Sequence, residues 1–265
     1  MNVAVIGRGL IGGSLEKAAI RAGHSAEVFR GRGPTPDLSR FDIVFVAVPP
    51  AAVAPVVDAA ASSGSLKDGA VVVDIAGVKT AVCESLAKYA GERRWYFVGG
   101  HPMAGKERIG YENSSENLFD GASMILTPFD SLDGAVIKSL DGFFRSLGFA
   151  RVVVTDTRHH DEMIAFTSQL CHLISSAYVR EPLALRHAGF SAGSFRDMVR
   201  VGAPDPDTWT DLFLMNGGPL VDVLDRYIAR LADFRDAIAS GDRARLHRSL
   251  EEGVAAKAAM EEATR

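Results

Sequence analysis

The sequence predicts an α/β domain followed by an all-helical domain, on three observations. In the first half of the chain, short runs rich in valine and isoleucine alternate with helical patterns, as in βαβ units. The strand signal stops after Thr155. From Thr157 onward the apolar residues recur at helical spacing. We therefore expect an α/β domain over residues 1–155 and a helical domain over residues 156–265.

The predicted strands are short and are bounded by glycine, proline or aspartate. They are residues 3–6, 26–29, 43–48, 71–74, 96–98, 124–127 and 152–155. Helical patterns lie between most of them, over residues 10–22, 52–62, 80–89 and 132–147. This alternation predicts a mostly parallel sheet. Residues 31–42 are rich in glycine and proline and are too few for a full crossover helix.

The helical pattern of the second half begins with apolar residues at Met163, Phe166, Leu170, Leu173 and Ile174. It continues over residues 212–215, 220–231 and 244–260. These stretches predict helices and no further strand.

Composition limits the partners that the chain can have. Its 265 residues carry a formal net charge of -4, so no basic surplus is present to neutralise nucleic-acid phosphates. Cys83 and Cys171 are the two cysteines, which indicates reduced thiols. Met1 runs almost directly into a strand, and no apolar segment approaches the roughly 20 residues that span a bilayer. We expect a cytoplasmic protein that binds neither membrane nor nucleic acid.

The first predicted strand ends in a glycine fingerprint, Gly7-Arg8-Gly9-Leu10-Ile11-Gly12, and a helix follows it. Gly7 permits the tight turn, Gly9 lets the backbone approach a pyrophosphate, and Gly12 lets the helix pack on the strand. A strand before the motif and a helix after it are the context that a dinucleotide site requires. We therefore expect a Rossmann-type domain in which all six residues bind the cofactor.

The second predicted strand indicates which dinucleotide is bound. An acidic residue near its end would hold the ribose of NAD, but the chain has no acid there after Glu27. Arg30 and Arg32 follow instead, and guanidinium groups suit a 2'-phosphate. We therefore favour NADP over NAD. Val48 and Pro49, after the third strand, are expected to form an apolar wall of the same site.

A histidine lies in the small-residue stretch Gly99 to Glu107 (GGHPMAGKE). We expect this stretch to be a loop at the carboxyl edge of the sheet, where open α/β folds bind ligands. His101 is then an acid–base group beside the nicotinamide. A structural histidine in a tight loop is the alternative.

Taken together, several segments resemble the prephenate/arogenate dehydrogenase family. They are residues 7–14 (GRGLIGGS), 74–79 (DIAGVK), 100–110 (GHPMAGKERIG), 195–216 (FRDMVRVGAPDPDTWTDLFLMN) and, more weakly, 167–172 (TSQLCH). The resemblance covers most of the chain. It implies oxidative decarboxylation of a cyclohexadienyl substrate, with hydride transfer to NAD(P), and a helical domain that forms a homodimer.

The resemblance also implies roles for individual residues. His101 would accept the proton of the ring hydroxyl, Arg200 would bind a substrate carboxylate, and His172 would face the substrate. Glu107 matches an acid of the active-site loop, and Trp209 matches a family tryptophan. Without the resemblance, a surface salt bridge is the ordinary role for Arg200, and core packing is the ordinary role for His172 and Trp209.

The chain departs from the family pattern at two positions. Gly77, which we expect to lie in the cofactor site, stands where many members carry serine. We therefore expect Lys79 or a backbone amide to replace the missing hydroxyl beside the histidine and nicotinamide. Gln169 stands where many members carry a histidine, which changes the polar contact with the substrate. The run His159-His160-Asp161-Glu162 resembles a metal cluster, but its residues start a helix and point in different directions, so we expect no metal.

Three substrates and two other classes of protein remain open at this point. The substrates are prephenate, arogenate and a 4-amino analogue of prephenate. The other classes are a hydroxyacid or imine reductase of similar two-domain architecture and a catalytically inactive NADP-binding regulator. The chain ends without room for a regulatory domain, so we expect any feedback by tyrosine to act at the active site.

Overall fold

One sheet forms the centre of the α/β part of the molecule. The computed structural model describes residues 1–92, 94–106, 108 and 110–263. The strands are β1 (Asn2–Ile6), β2 (Ser25–Phe29), β3 (Ile43–Val46), β4 (Val71–Asp74), β5 (Tyr96–Pro102), β6 (Ser123–Pro128) and β7 (Arg151–Val154). They form a seven-stranded sheet in the order β2-β1-β3-β4-β5-β6-β7. All the predicted strands are therefore confirmed, and neighbouring strands from β2 to β5 pair in parallel, as expected.

The end of β5 corrects the prediction that His101 lies in a loop. β6 runs antiparallel to β5, and their register pairs Gly100 with Leu126 and His101 with Ile125. This pairing extends β5 to Pro102, although the apolar run ends at Val98. A strand can continue through glycine and histidine when a neighbouring strand satisfies its backbone hydrogen bonds. His101 is therefore held on the sheet.

Helices cover both faces of this sheet. The helices are α1 (Leu10–Arg21), α2 (Pro50–Ser62), α3 (Thr80–Ser85) and α4 (Gly134–Ser146). Because side chains alternate along a strand, Val3 and Val5 pack in one core with α1 and α4, while Ala4 and Ile6 pack in the other with α2 and α3. Residues 31–42 contain no helix, as predicted, and Leu38 of this segment is buried in the core.

The second half of the chain is helical, as predicted. Its helices are α5 (Thr157–Ile164), α6 (Leu170–Tyr178), α7 (Gly193–Val199), α8 (Pro206–Met215), α9 (Gly217–Ser240) and α10 (Arg243–Ala263), with a π-helical turn over Ala165–Gln169. Among the residues that the structure describes, no helix is long and apolar enough to cross a membrane.

The chain forms two compact units, Met1–Gly217 and Gly218–Arg265. In the second unit, Asp233 of α9 accepts hydrogen bonds from Arg245 and Ser249 of α10. The first unit contains α5 to α8 together with the sheet, so the domain boundary that we place between residues 155 and 156 stays a prediction.

Candidate active site

The turn between β1 and α1 requires glycine at two positions. Gly7 has a φ of +125°, and a Cβ on this residue would lie 2.0 Å from the carbonyl oxygen of Ala47. A Cβ on Gly12 would lie 2.0 Å from the carbonyl oxygen of Gly7. Since both contacts are with backbone atoms, neither residue can carry a side chain, and α1 packs directly against the turn.

Gly9 faces open space. No atom in the described part of the chain lies within 4 Å of the position that its Cβ would take. Gly9 is also the N-cap of α1, and no described side chain caps that helix. The first N–H groups of α1 are then available to an anion. This uncovered turn fits the pyrophosphate of a dinucleotide.

The remaining residues of the predicted fingerprint lie around this turn. The guanidinium of Arg8 stacks over the ring of Tyr111, 4.5 Å from its centre. Leu10 is the first residue of α1 and is half-buried. Ile11 packs against the core between α1 and the sheet.

A cavity of about 550 Å³ lies where an adenosine would follow such a pyrophosphate, and Ile6, Arg32 and Pro49 are among the residues that line it. Val48 lies beside it, since a Cβ on Gly31 would be 2.6 Å from Val48 Cγ1. Arg30 is exposed and is not among the lining residues.

The acidic residue of β2 already has a partner. Glu27 of β2 forms an ion pair with Arg40. This pairing agrees with the absence of a carboxylate for ribose at the end of β2.

His101 connects through hydrogen bonds to two side chains of α5. Its Nδ1 lies 2.9 Å from Nε2 of His160, and Nδ1 of His160 lies 2.7 Å from a carboxylate oxygen of Asp161. Both α5 residues are only 2% exposed. The other ring nitrogen of His101, Nε2, lies 3.8 Å from the position of a Cβ on Gly77. This nitrogen faces the carboxyl edge of the sheet, beside the end of β4.

The charges around His101 favour its neutral form. Burial, together with the nearby His160 and Lys79, holds the pKa of His101 well below its usual value. Burial would raise the pKa of Asp161, but hydrogen bonds from His160, Thr80 and Lys79 outweigh it and hold that pKa below its usual value. His101 is therefore neutral near neutral pH, and a neutral imidazole can accept a proton.

Sequence reasoning did not place His160 and Asp161 in the site. The prediction that neighbouring residues of the run point in different directions is confirmed, since His159 is exposed and His160 is buried. Within the described ranges, no group of three or more His, Cys, Asp and Glu side chains could hold a metal ion. The one sequence signal was the missing hydroxyl at Gly77, which left His101 in need of another partner.

Lys79 lies deeper than expected. Its side chain is fully buried, and its Nζ pairs with Asp74 at the end of β4 and donates to the carbonyl oxygen of Gly100 at 2.7 Å. Burial raises the pKa of Asp74, whose Oδ2 has no hydrogen-bond partner among the described residues. In this structure the amine of Lys79 therefore supports the backbone beside His101. A catalytic role for Lys79 stays a prediction.

Several predicted substrate residues come together in a second cavity. It has a volume of about 360 Å³, and its lining includes Lys106, His172, Arg200 and Trp209. The rings of His172 and Trp209 have centres 3.7 Å apart.

Nδ1 of His172 lies 3.1 Å from the carbonyl oxygen of Val201, so it carries the proton and donates it. Burial and the nearby Arg200 lower the pKa of His172. His172 is then neutral, and its Nε2 is left as an acceptor.

Helix α8 connects this cavity to His101. Trp209 lines the cavity, while Leu212, one turn further along α8, lies 3.2 Å from the Cβ position of Gly77. The predicted cofactor residue Gly77 therefore lies between α8 and the ring of His101.

Gln169 is not among the residues that line this cavity, and its predicted role in substrate binding stays a prediction. Only 1% of its surface is exposed. Its Nε2 donates to the carbonyl oxygen of Leu212 at 3.1 Å, and its Oε1 accepts from Asn216 at 2.7 Å. Both ends of the amide are thus used in hydrogen bonds that tie Gln169 to α8 and its C-terminal residue. Glu107, the predicted acid of the active-site loop, lies outside the described residues.

Comparison with known proteins agrees with this architecture. The family model described as the prephenate dehydrogenase nucleotide-binding domain matches residues 5–154. The model described as the prephenate dehydrogenase dimerization domain matches residues 156–252.

One curated relative matches over nearly the whole chain. Cyclohexadienyl dehydrogenase of Zymomonas mobilis is 31% identical over 271 residues, which cover 91% of this chain and 89% of that protein. The chain spans 48%, 61% and 56% of the length of three longer curated relatives.

Two solved structures have the same fold. Prephenate dehydrogenase from Aquifex aeolicus, in complex with hydroxyphenyl propionate and NAD+, has a TM-score of 0.82 and 25% identity, with 98% of both chains covered. Synechocystis arogenate dehydrogenase has a TM-score of 0.78 and 25% identity, with 98% of this chain and 100% of that chain covered. The two domain matches follow one another along the chain in the order of the sheet and the helices, and the chain therefore belongs to the prephenate dehydrogenase family of NAD(P)-dependent oxidoreductases.

Proposed function

We propose that this enzyme oxidises and decarboxylates prephenate or arogenate, with NADP as the preferred cofactor. The observation that carries the proposal is the position of His101. Its Nδ1 is bonded to His160, and its Nε2 is left facing the edge of the sheet beside Gly77. Both substrates carry a hydroxyl on a non-aromatic ring, and a neutral imidazole at this edge is suited to take its proton.

His101 carries the proton transfer of the proposed reaction. When bound, the oxidised nicotinamide supplies the acceptor for the hydride of the hydroxyl-bearing carbon. Nε2 of His101 accepts the hydroxyl proton. The bond to the ring carboxylate breaks, its electron pair enters the ring, and carbon dioxide leaves. His101 then returns the proton to the ring oxygen, so that the aromatic product is a phenol.

Arg200 anchors the substrate in this proposal. It lies in the same cavity as Lys106, His172 and Trp209, so two cationic side chains line the space beside α8. An arginine can bind a carboxylate through two parallel hydrogen bonds, which fixes both position and orientation.

Two further features support NADP as the cofactor and a homodimer as the assembly. Arg32 lines the cavity beyond the glycine turn, while Glu27 is paired with Arg40, an arrangement that favours a 2'-phosphate over a free ribose hydroxyl. The match to a dimerization domain over residues 156–252 supports a homodimer.

The test is to mix the purified protein with NADP or NAD and with prephenate or arogenate, and to follow the absorbance of the reduced nicotinamide. We expect reduction with at least one substrate and faster turnover with NADP. His101→Asn should lower kcat by about 10²- to 10⁴-fold, because the general base is lost. In the wild type, kcat/KM should fall with decreasing pH only well below the usual pKa of histidine, since the pKa of His101 is lowered.

The control is the affinity of His101→Asn for the cofactor, which should stay at the wild-type value because Gly9 and Arg32 are unchanged. Absence of turnover with either substrate would contradict the proposed reaction, and wild-type turnover in His101→Asn would contradict the assignment of the base.

A further inference from the structure

We infer that His160 and Asp161 fix the tautomer of His101 and supply part of its basicity, so that Nε2 is the atom presented to the substrate. The inference rests on the proposed function, because it takes His101 as the base. His160 is then a positioning residue, since it acts through His101 and does not touch the substrate.

His101, His160 and Asp161 form a hydrogen-bonded row. When His160 is neutral, the donors and acceptors of this row allow only one placement of the protons. The carboxylate of Asp161 accepts from His160 and from the backbone N–H groups of Lys79 and Thr80, both at 2.8 Å. An ionised carboxylate can only accept, so Nδ1 of His160 carries a proton. The other nitrogen of a neutral His160 is then an acceptor. Nδ1 of His101 must donate to it, which leaves the lone pair on Nε2 of His101.

Asp161 is held in place independently of the two histidines. The N–H groups that it binds belong to the first turn of α3 and the residue before it, where backbone donors have no partner within the helix. Hydrogen bonds from this turn and from His160 keep its pKa low despite burial. The carboxylate therefore stays ionised, and its charge reaches His101 through the ring of His160.

Gly77 explains why this row matters in the present chain. A glycine offers no hydroxyl beside Nε2 of His101, and among the described residues the ring of His101 is hydrogen-bonded to His160. The charged and titratable groups around His101 are His160 and Asp161 from α5, Lys79 before α3, and Asp74, which pairs with Lys79. Lys79 lowers the pKa of His101, although its pairing with Asp74 offsets part of its charge. Asp161 is thus the acid that favours a proton on His101.

Two substitutions of His160 separate a positioning role from a structural one. In His160→Phe, a ring of similar size remains but the acceptor is lost. We expect kcat to fall about 10- to 100-fold, with KM and the cofactor Kd within about two-fold of the wild type. In His160→Gln, the side-chain oxygen can still accept from Nδ1 of His101. We expect most of kcat to return, with the acid limb of the kcat/KM profile shifted to lower pH because the link to Asp161 is broken.

The direction of this shift follows from the charge of Asp161. A nearby carboxylate stabilises the imidazolium and raises its pKa, so removal of the link lowers the pKa of His101. Asp161→Asn should shift the acid limb the same way. A His160→Phe enzyme with wild-type kcat, or a His160→Gln enzyme as slow as His160→Phe with an unshifted profile, would overturn the inference.

A second measurement does not depend on turnover. Ring ¹⁵N chemical shifts of the wild-type protein report which nitrogen of each neutral histidine is protonated. We expect the Nδ1–H form for His101 and a mixture of forms in His160→Phe. An Nε2–H form of His101 in the wild type would overturn the inference even if the proposed substrates are turned over. The Nδ1–H form would support it even if they are not.

Discussion

At the scale of single residues, Arg30 and Arg32 offer a matched pair. Both follow β2 and carry the same charge, but Arg32 lines the cavity next to the glycine turn and Arg30 does not. A guanidinium binds a phosphate strongly when it can approach it closely, and a general positive potential contributes far less at physiological salt.

We therefore expect Arg32→Ser to raise the Kd for NADP by about 10-fold or more, while the Kd for NAD changes less than about two-fold. Quenching of protein fluorescence on titration with each cofactor measures both constants. Arg30→Ser is the control and should change neither by more than about two-fold. An equal loss for NADP and NAD in Arg32→Ser would contradict the preference for NADP.

The sequence was sufficient to identify residues whose role depends on the local backbone conformation. It was less informative for residues whose role depends on contacts with side chains far along the chain. Gly7 and Gly12 could be assigned because a turn between strand and helix requires glycine there, and both face backbone atoms at 2.0 Å. The hydrogen bond of Gln169 with Asn216 was not predicted, because the two residues lie far apart along the chain. His160 was missed for the same reason, since its contact with His101 spans 59 residues.

At the scale of secondary-structure elements, Asn216 ties the end of α8 to α5 and to the π-helical turn. Its Nδ2 lies 3.0 Å from the backbone carbonyl oxygen of Asp161 and 2.7 Å from Oε1 of Gln169. Asn216 is 2% exposed, so water cannot replace these contacts.

Asn216→Ala should lower the free energy of unfolding by about 1–3 kcal/mol. The buried side-chain oxygen of Gln169 loses its donor, and the carbonyl oxygen of Asp161 keeps only the N–H of Ala165. Urea denaturation followed by circular dichroism measures the change. Asn2→Ala removes a hydrogen bond at an exposed asparagine and should change stability by less than about 1 kcal/mol. Equal losses in the two variants would show that burial of the amide of Asn216 is unimportant.

Strands and helices were predicted well where the local sequence pattern is enough to define them. The strand β4 and the start of α1 agree with the prediction to the residue, since valine runs and the glycine turn mark them. The end of β5 was not predictable in this way. Gly99 and Gly100 have low intrinsic preference for a strand, and they join β5 only because β6 pairs with them. That pairing is a long-range property.

At the scale of the whole molecule, exposed apolar side chains are unevenly distributed. Most of the large apolar residues that are exposed on the single chain lie after residue 155. On α10, Leu250 and Val254 are 56% and 72% exposed and line a shallow cavity with His247 and Ala258. Such a surface is typical of a region that another subunit covers.

If the helical region forms the proposed homodimer, a charge on this face should weaken it. We expect the double variant Leu250→Asp, Val254→Asp to raise the dimer dissociation constant by about 10-fold or more, because each carboxylate would be buried without a partner. Sedimentation equilibrium measures the constant. Ile20→Asp, at a 55% exposed position on α1, should leave it unchanged. A double variant that dimerises like the wild type would place the interface elsewhere.

The extension of β5 by β6 also affects how the active site can change. His101 sits on a hydrogen-bonded strand, so its backbone is preorganised and loses little conformational freedom when a substrate binds. The proposed substrate-binding residues His172, Arg200 and Trp209 come instead from the helical part of the chain. A new substrate side chain could therefore be accommodated by changes at these three residues. His101 on the sheet and its partners His160 and Asp161 on α5 would be retained.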